Sequence, residues 1–344
     1  MTALRVHTTR RPPKPGRGYD VYWSFASERQ KVYRRRLDGA ERGDLTDDPV
    51  IAAHRFTNAY RASDRVSQYL ISEVIYDRPR SWIDTFARVL VFKVFNRIDT
   101  WEHLRSVVGD VSAERLQAGD IDRALEGRAG KQPIYSAAYI MPPPRSGTGA
   151  KFRRHLDLIR RMVRDGAHDR IAGAPSMAAA FDLLASYESI GPFLAYQFLI
   201  DLNYTPHLSF SESEYVVAGP GAIRGLRKCI SDPGDFTPSD VIRWVADQQA
   251  NAFAERGLDW SDLWGRPLQL IDAQNLFCEV DKYTRAANPE LSELAPGSRI
   301  KQRYTPVVKP LSAWFPPKWG LNDSIPDRYR NPTTVTRPPI AMLF

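Results

Sequence analysis

The stretch Leu184-Ala-Ser-Tyr-Glu-Ser-Ile-Gly-Pro-Phe-Leu-Ala-Tyr-Gln-Phe-Leu-Ile-Asp201 decides the reading of the fold. One apolar helix ends near Ser186, and a tight turn passes through Ser189, Ile190 and Gly191. Pro192 then opens a second helix at the position where a missing N–H costs nothing, because the first N–H groups of a helix have no partner inside it. Ile190 is placed to plug the turn into a core. The free N–H groups and the positive helix end suit one phosphate. An ordinary helical corner leaves the same trace, so this stretch alone keeps both readings open.

Working outward, the rest of the chain is also helical. From Lys151, Phe152, Leu156, Ile159 and Val163 fall on one face while Arg153, Arg154, Arg160, Arg161 and Arg164 occupy the others. Further helices are expected over 25–36, 50–69, 82–95, 100–108, 120–126, 220–230, 238–256 and 268–283. Almost nothing alternates as a strand does, so the fold class is all-α. Residues 1–18 carry five Lys or Arg and no acid, and read as a flexible arm. The Pro- and Gly-rich run 141–150 marks a subdomain boundary. It separates an N-terminal helical part (19–145) from a second helical domain (146–294). Beyond them lies a Pro-rich basic tail (295–344), with Trp314, Phe315, Trp319 and Tyr329 interleaved. Docking of the tail on its own domain is favoured over contact with nucleic acid.

The 344 residues are 43% hydrophobic and 26% charged, with a formal net charge of +8. That balance favours a polyanionic partner, since cations that neutralise phosphates release bound counterions. Cys229 and Cys278 are the only cysteines, and the six histidines show no metal-ligand spacing; no metal or other cofactor is expected. The sequence shows no signal segment and no membrane span. A cytoplasmic protein with no membrane and no obligate protein partner is the expectation. Gly147-Thr-Gly-Ala-Lys151 imitates a phosphate loop, but Ala150 separates Gly149 from Lys151 and Phe152 stands where a hydroxyl is required. A nucleotide-driven kinase is disfavoured on that ground.

The turn resembles the helix–hairpin–helix of DNA glycosylases, with Ser189 in place of the first glycine and Leu194 where Thr is usual. By that resemblance Ile190, Gly191 and Pro192 contact DNA, and a catalytic carboxylate lies about twenty residues past Gly191. Ser211 occupies that spot, flanked by Glu212 and Glu214, which become the catalytic candidates at an expected helix start. The lysine nucleophile of strand-cutting relatives is replaced by Phe193, which implies a monofunctional enzyme with water as nucleophile. A second glycine turn, Ala218-Gly-Pro-Gly-Ala-Ile-Arg-Gly-Leu-Arg-Lys228, supplies Gly219, Gly221, Arg224 and Lys228 as further DNA contacts or pocket lining. Its three glycines imply close backbone approach.

Several strings together resemble the α-glutamyl/putrescinyl thymine pyrophosphorylase family. They are Gly191–Leu202 with Ala218–Ala222, Phe56-Thr-Asn-Ala-Tyr-Arg-Ala-Ser-Asp-Arg65, Phe95-Asn-Arg-Ile-Asp-Thr-Trp-Glu102 and Cys278-Glu-Val-Asp-Lys-Tyr283. They span roughly residues 20–290. The resemblance implies a base-flipping protein of modified phage DNA, related to glycosylases that remove glucosylated hydroxymethylcytosine in antiphage defence. The expected activity is excision of a modified pyrimidine from double-stranded DNA, leaving an abasic site. Two alternatives stay open: a transferase that displaces pyrophosphate from a pyrophosphorylated hydroxymethyl pyrimidine, and a non-catalytic reader. Asn58, Arg61, Asp64 and Arg65 would share one helix face of the base pocket, with Glu279, Asp281, Lys282 and Tyr283 opposite. Structural pairing of Arg61 with Asp64, and of Glu279 with Lys282, is the equal alternative for those residues.

Overall fold

The computed structural model describes residues 10–291, 300, 303–304 and 311–330. As expected, the fold is mostly helical, with one small two-stranded sheet. The chain divides into two compact units, one made of Met1–Arg61 and Val216–Pro310, the other of Ala62–Tyr215 and Leu311–Phe344. The expected boundary at 141–150 lies wholly inside the second unit.

In the first unit, the helices Tyr19–Leu37, Pro220–Cys229 and Leu270–Ala287 pack around an aromatic core of Tyr22, Trp23, Phe253 and Phe277. The glycines of Pro220–Cys229 explain how closely it lies on Leu270–Ala287. A Cβ at Gly225 would sit 2.0 Å from the Phe277 carbonyl oxygen, and one at Gly221 would sit 2.4 Å from Cys278 Sγ. These glycines, one helical turn apart, turn toward a neighbouring helix.

The basic arm departs from expectation. Lys14–Pro15 pairs antiparallel with Ile230–Asp232, and the Gly16 and Gly18 N–H groups donate to the Cys229 and Lys228 carbonyls at 2.7 and 3.1 Å. Arg10 bonds the Asp235 carbonyl and Asp240. From Arg10 onward the arm is docked rather than flexible, because its cations and backbone find acidic and carbonyl partners at the end of the glycine helix. Residues 1–9 lie outside the described residues.

The expected helix 50–69 is also broken. Helix Pro49–Ala53, N-capped by Asp48, gives way to irregular backbone, a 3-10 turn at Arg61–Ser63 and a short helix Arg65–Tyr69. Side chains far away in sequence take the backbone groups a helix would have used. Glu279 accepts from the Thr57 N–H at 3.0 Å, and Arg29 donates to the Phe56 and Thr57 carbonyls. Asn58, Arg61, Asp64 and Arg65 therefore share no helix face.

The second unit surrounds the helix Trp82–Phe95, which is buried on nearly every side from Thr85 onward. Such all-round apolar helices occupy domain centres. Arg88 within it reaches Asp77 and Asp110 at 3.2 and 2.9 Å and the Val74 and Val111 carbonyls. Burial pulls its guanidinium down to about 10 against the pull of the carboxylates, so it stays charged at neutral pH. The helices Met177–Ala185 and Pro192–Leu202 form the expected pair joined by a tight turn. Ser189 takes a left-handed φ of 65°, which is why a glycine fits this point of the pattern. Ile190 is buried beneath the turn.

The aromatics of segment 311–330 dock on this unit. Trp314 packs edge-on against Tyr76 and Trp319 against Tyr204, while Phe315 and Tyr329 are buried. Lys318 donates to the carbonyls of Asn203, Thr205 and Leu208, just past the C-terminal end of Pro192–Leu202. A cation there meets the negative helix end.

Candidate functional site

The strings that carried the sequence resemblance gather into two polar clusters, one in each unit. In the second unit, Pro192–Leu202 places Asp201 toward the central helix, which supplies Lys93, and buries Gln197. Lys93 Nζ lies 2.9 Å from Asp201 Oδ2, with side chains only 4% and 1% exposed. Lys93 also reaches Asn96 Oδ1 at 3.4 Å, and Asn96, in the left-handed region, donates to Ser136 Oγ at 3.2 Å. The Tyr139 ring covers the ammonium, 4.3 Å from Nζ, and stacks on Phe193 at 5.9 Å.

Burying a charge costs several kcal/mol unless it is paired and bonded. Lys93, Asn96, Gln197 and Asp201, all buried, are therefore polar groups that apolar packing does not require. Sequence reasoning missed Lys93, Asn96, Gln197 and Asp201. The signal was present as Lys93 inside the apolar run Val89–Phe95, with Asn96 just past it, and as Gln197 and Asp201 inside Leu194–Leu202.

The segment between Gln132 and Ala150 lies along the hairpin turn. Its Arg145 and Ser146 N–H groups and the Ser146 hydroxyl donate to Glu188, and Tyr139 stacks on Phe193. The Ser146 hydroxyl bond, helped by the Arg145 and Ser146 amides and Arg161, holds the Glu188 carboxyl below its ordinary range. Gly191 and Pro192 are exposed, no side chain caps the helix they begin, and a Cβ at Gly191 would meet nothing within 4 Å.

The cluster of the first unit holds most of the residues picked out from the sequence. Asp281 receives Lys228 Nζ at 2.9 Å, Arg224 Nε at 2.9 Å and Arg285 at 2.6 Å. Burial pushes the Asp281 carboxyl up, but these three hydrogen-bonded cations outweigh it and hold it below the usual carboxylate range. Lys228 is buried and also donates to Thr284, whereas Arg224 is 41% exposed. Lys282 pairs with Glu279 at 2.8 Å, Arg29 donates to Asn58 Oδ1 at 3.1 Å, and the Arg61 N–H donates to Asp272 at 2.8 Å. The Tyr283 hydroxyl donates to Asp48 at 2.6 Å. Gly219 is the N-cap of the glycine helix, and Gly221 faces Cys278.

Not every predicted residue joins this cluster. Asp64 belongs to the second unit, at the N-cap of Arg65–Tyr69. Glu212 and Glu214 also belong to the second unit, in an irregular loop where no helix begins, because the next one starts at Pro220. Glu212 is buried and Glu214 exposed. Among the described residues no group of three or more His, Cys, Asp or Glu could hold a metal ion, and no helix is long and apolar enough to cross a membrane.

A family model described as "5-hmdU DNA kinase, helical domain" matches residues 17–293, which takes in both clusters. A 5-hmdU DNA kinase of Bacillus phage SP10 is 23% identical over 319 residues, covering 86% of this chain and 49% of the relative. The chain thus spans about half the length of the curated relative it matches. No solved structure matches. The class that matches is the helical domain of an enzyme named for a modified pyrimidine of DNA, and the chain here is mostly helical. The chain belongs to the family of the 5-hmdU DNA kinase helical domain.

This family overturns the expected glycosylase. It and the relative are named for a kinase, an enzyme that transfers a group, whereas a glycosylase hydrolyses the base–sugar bond. The monofunctional hydrolytic mechanism and excision of glucosylated hydroxymethylcytosine fall with it. The coarser expectation, a family concerned with modified pyrimidines of phage DNA, stands. Setting a kinase aside on Gly147–Lys151 judged that loop alone, and the match to the kinase family is through its helical domain.

Proposed function

We propose that this chain serves base modification in DNA: it holds a duplex, extrudes a 5-hydroxymethyl pyrimidine and presents the exocyclic hydroxyl for group transfer. The observation that carries this reading is the continuous family match over residues 17–293. Extrusion is required by geometry, since chemistry on a base needs more room than the stack allows. The hairpin turn with Gly191 and Pro192 serves as a phosphate anchor. The Lys93–Asp201 cluster receives the extruded base once the Tyr139 ring that covers it swings aside. There the Asp201 carboxylate accepts a hydrogen bond from the exocyclic hydroxyl, and Lys93 lies 2.9 Å from it. The glycosidic bond stays intact.

The test compares duplexes containing one 5-hydroxymethyluracil with the same duplexes containing thymine. One added hydrogen bond to a charged group is worth about 1.5–3 kcal/mol, so the modified duplex should bind at least about tenfold tighter. Nucleosides recovered after incubation with a nucleoside triphosphate should include no free base. Equal affinity for both duplexes, or released base, would overturn the reading.

A further inference from the structure

Ile140 and Val107 are the large hydrophobic side chains exposed among the described residues, and Ile140, at 69%, is the more exposed. A lone exposed apolar residue needs no explanation by itself. The mounting of Ile140 does. On one side Tyr139 is held in the left-handed region, at φ 55°, with its ring stacked on Phe193 and over Lys93. That conformation is unfavourable for a bulky residue. On the other side Met141 is buried, and the Pro142 carbonyl accepts from His155 Nε2 at 3.1 Å. The run Pro142-Pro143-Pro144 stiffens the backbone on that side, and Arg154 donates to the Pro144 carbonyl at 3.0 Å. The strained, twice-anchored backbone therefore holds Ile140 in solvent, where it gains no burial.

The surroundings are suited to a polyanion. Arg145 is exposed five residues on, Arg161 lies beside Ser146, and the nearby Glu188 is occupied by the loop amides and Arg161. A rigid apolar tip on the same loop as the exposed Arg145 matches the wedges that enter a duplex between base steps. We infer that Ile140 is such a wedge: it fills the place left in the stack by the extruded base, while the base moves toward the cluster beneath Tyr139. This rests on the base-modification reading above.

The experiment places 2-aminopurine beside the modified base in a duplex and follows its fluorescence as the full-length protein is added. Wild type should raise the signal severalfold. Ile140→Ala should lose most of that rise while keeping binding within about tenfold, and Ile140→Leu should restore it, since leucine offers an apolar tip of the same size. A duplex with an abasic site opposite the modified base, where no base pairing resists extrusion, should bind Ile140→Ala and wild type alike. An undiminished rise with Ile140→Ala would overturn the wedge alone. A wild type that binds no duplex would overturn the base-modification reading and the wedge with it.

Discussion

Lys93 on the central helix and Asp201 on the hairpin helix form an ion pair of 2.9 Å from which water is almost wholly excluded. Breaking such a pair from one side leaves a buried charge without compensation, at a cost of about 3–5 kcal/mol, whereas replacing both partners by apolar residues is often neutral. Lys93→Met and Asp201→Leu should each lower the denaturant midpoint strongly, and the double variant should recover most of it. In the double variant the preference for 5-hydroxymethyluracil duplexes should still be lost. A double variant that recovers both stability and preference would make the pair purely structural.

The glycines separate packing from recognition. Gly225→Ala drives a methyl into the Phe277 carbonyl, and overpacking of this kind costs about 1–3 kcal/mol or more when the obstacle is backbone. Its melting temperature should drop by several degrees. Gly191→Val places its side chain in open space, so the melting temperature should hold while affinity for every DNA sequence weakens. If Gly191→Val binds DNA as wild type does, the hairpin turn is no phosphate anchor.

His155 is buried, accepting from the Tyr135 hydroxyl at Nδ1 (2.8 Å) and donating from Nε2 to Pro142. Burial, reinforced by Lys151 and Arg154, lowers its imidazole from 6.5 to about 4, against the Pro142 bond. The unfolded chain therefore binds a proton below pH 6.5 that the folded chain refuses until about pH 4. Stability from this group is present above pH 6.5 and is lost as pH falls from 6.5 to about 4. Urea midpoints over that window should fall less steeply for His155→Gln than for wild type. Identical slopes would show that His155 is not buried neutral.

The local grammar of the sequence was legible where one segment settles its own conformation. Pro192 after Gly191 marks a helix start, and Thr46–Pro49 marks another that Asp48 caps. The parts that stayed hidden depended on partners far along the chain. Residues 54–60 continue the amphipathic stretch that opens at Val50, yet Glu279 and Arg29 take their backbone groups. Gly221 and Gly225 read equally as ligand-facing or helix-facing, and only the positions of Cys278 and Phe277 decide. The Lys93–Asp201 pair is invisible to periodicity, because each residue alone interrupts an otherwise apolar stripe.

The staple that Lys318 drives into the carbonyls of Asn203, Thr205 and Leu208 bears on how the chain is made. Each unit is assembled from two separated stretches, and the stretches alternate along the chain. A ribosome releases the hairpin helix well before Lys318, whose sequence separation from Asn203 is 115. Until then the carbonyls past its end lack this cation, and the surfaces that Trp314 and Trp319 cover stay bare. Neither unit can close as its first stretch emerges, so the last docking steps must wait until its second stretch has been made. Ordering that late in vectorial synthesis leaves apolar surface open to chaperones or to aggregation.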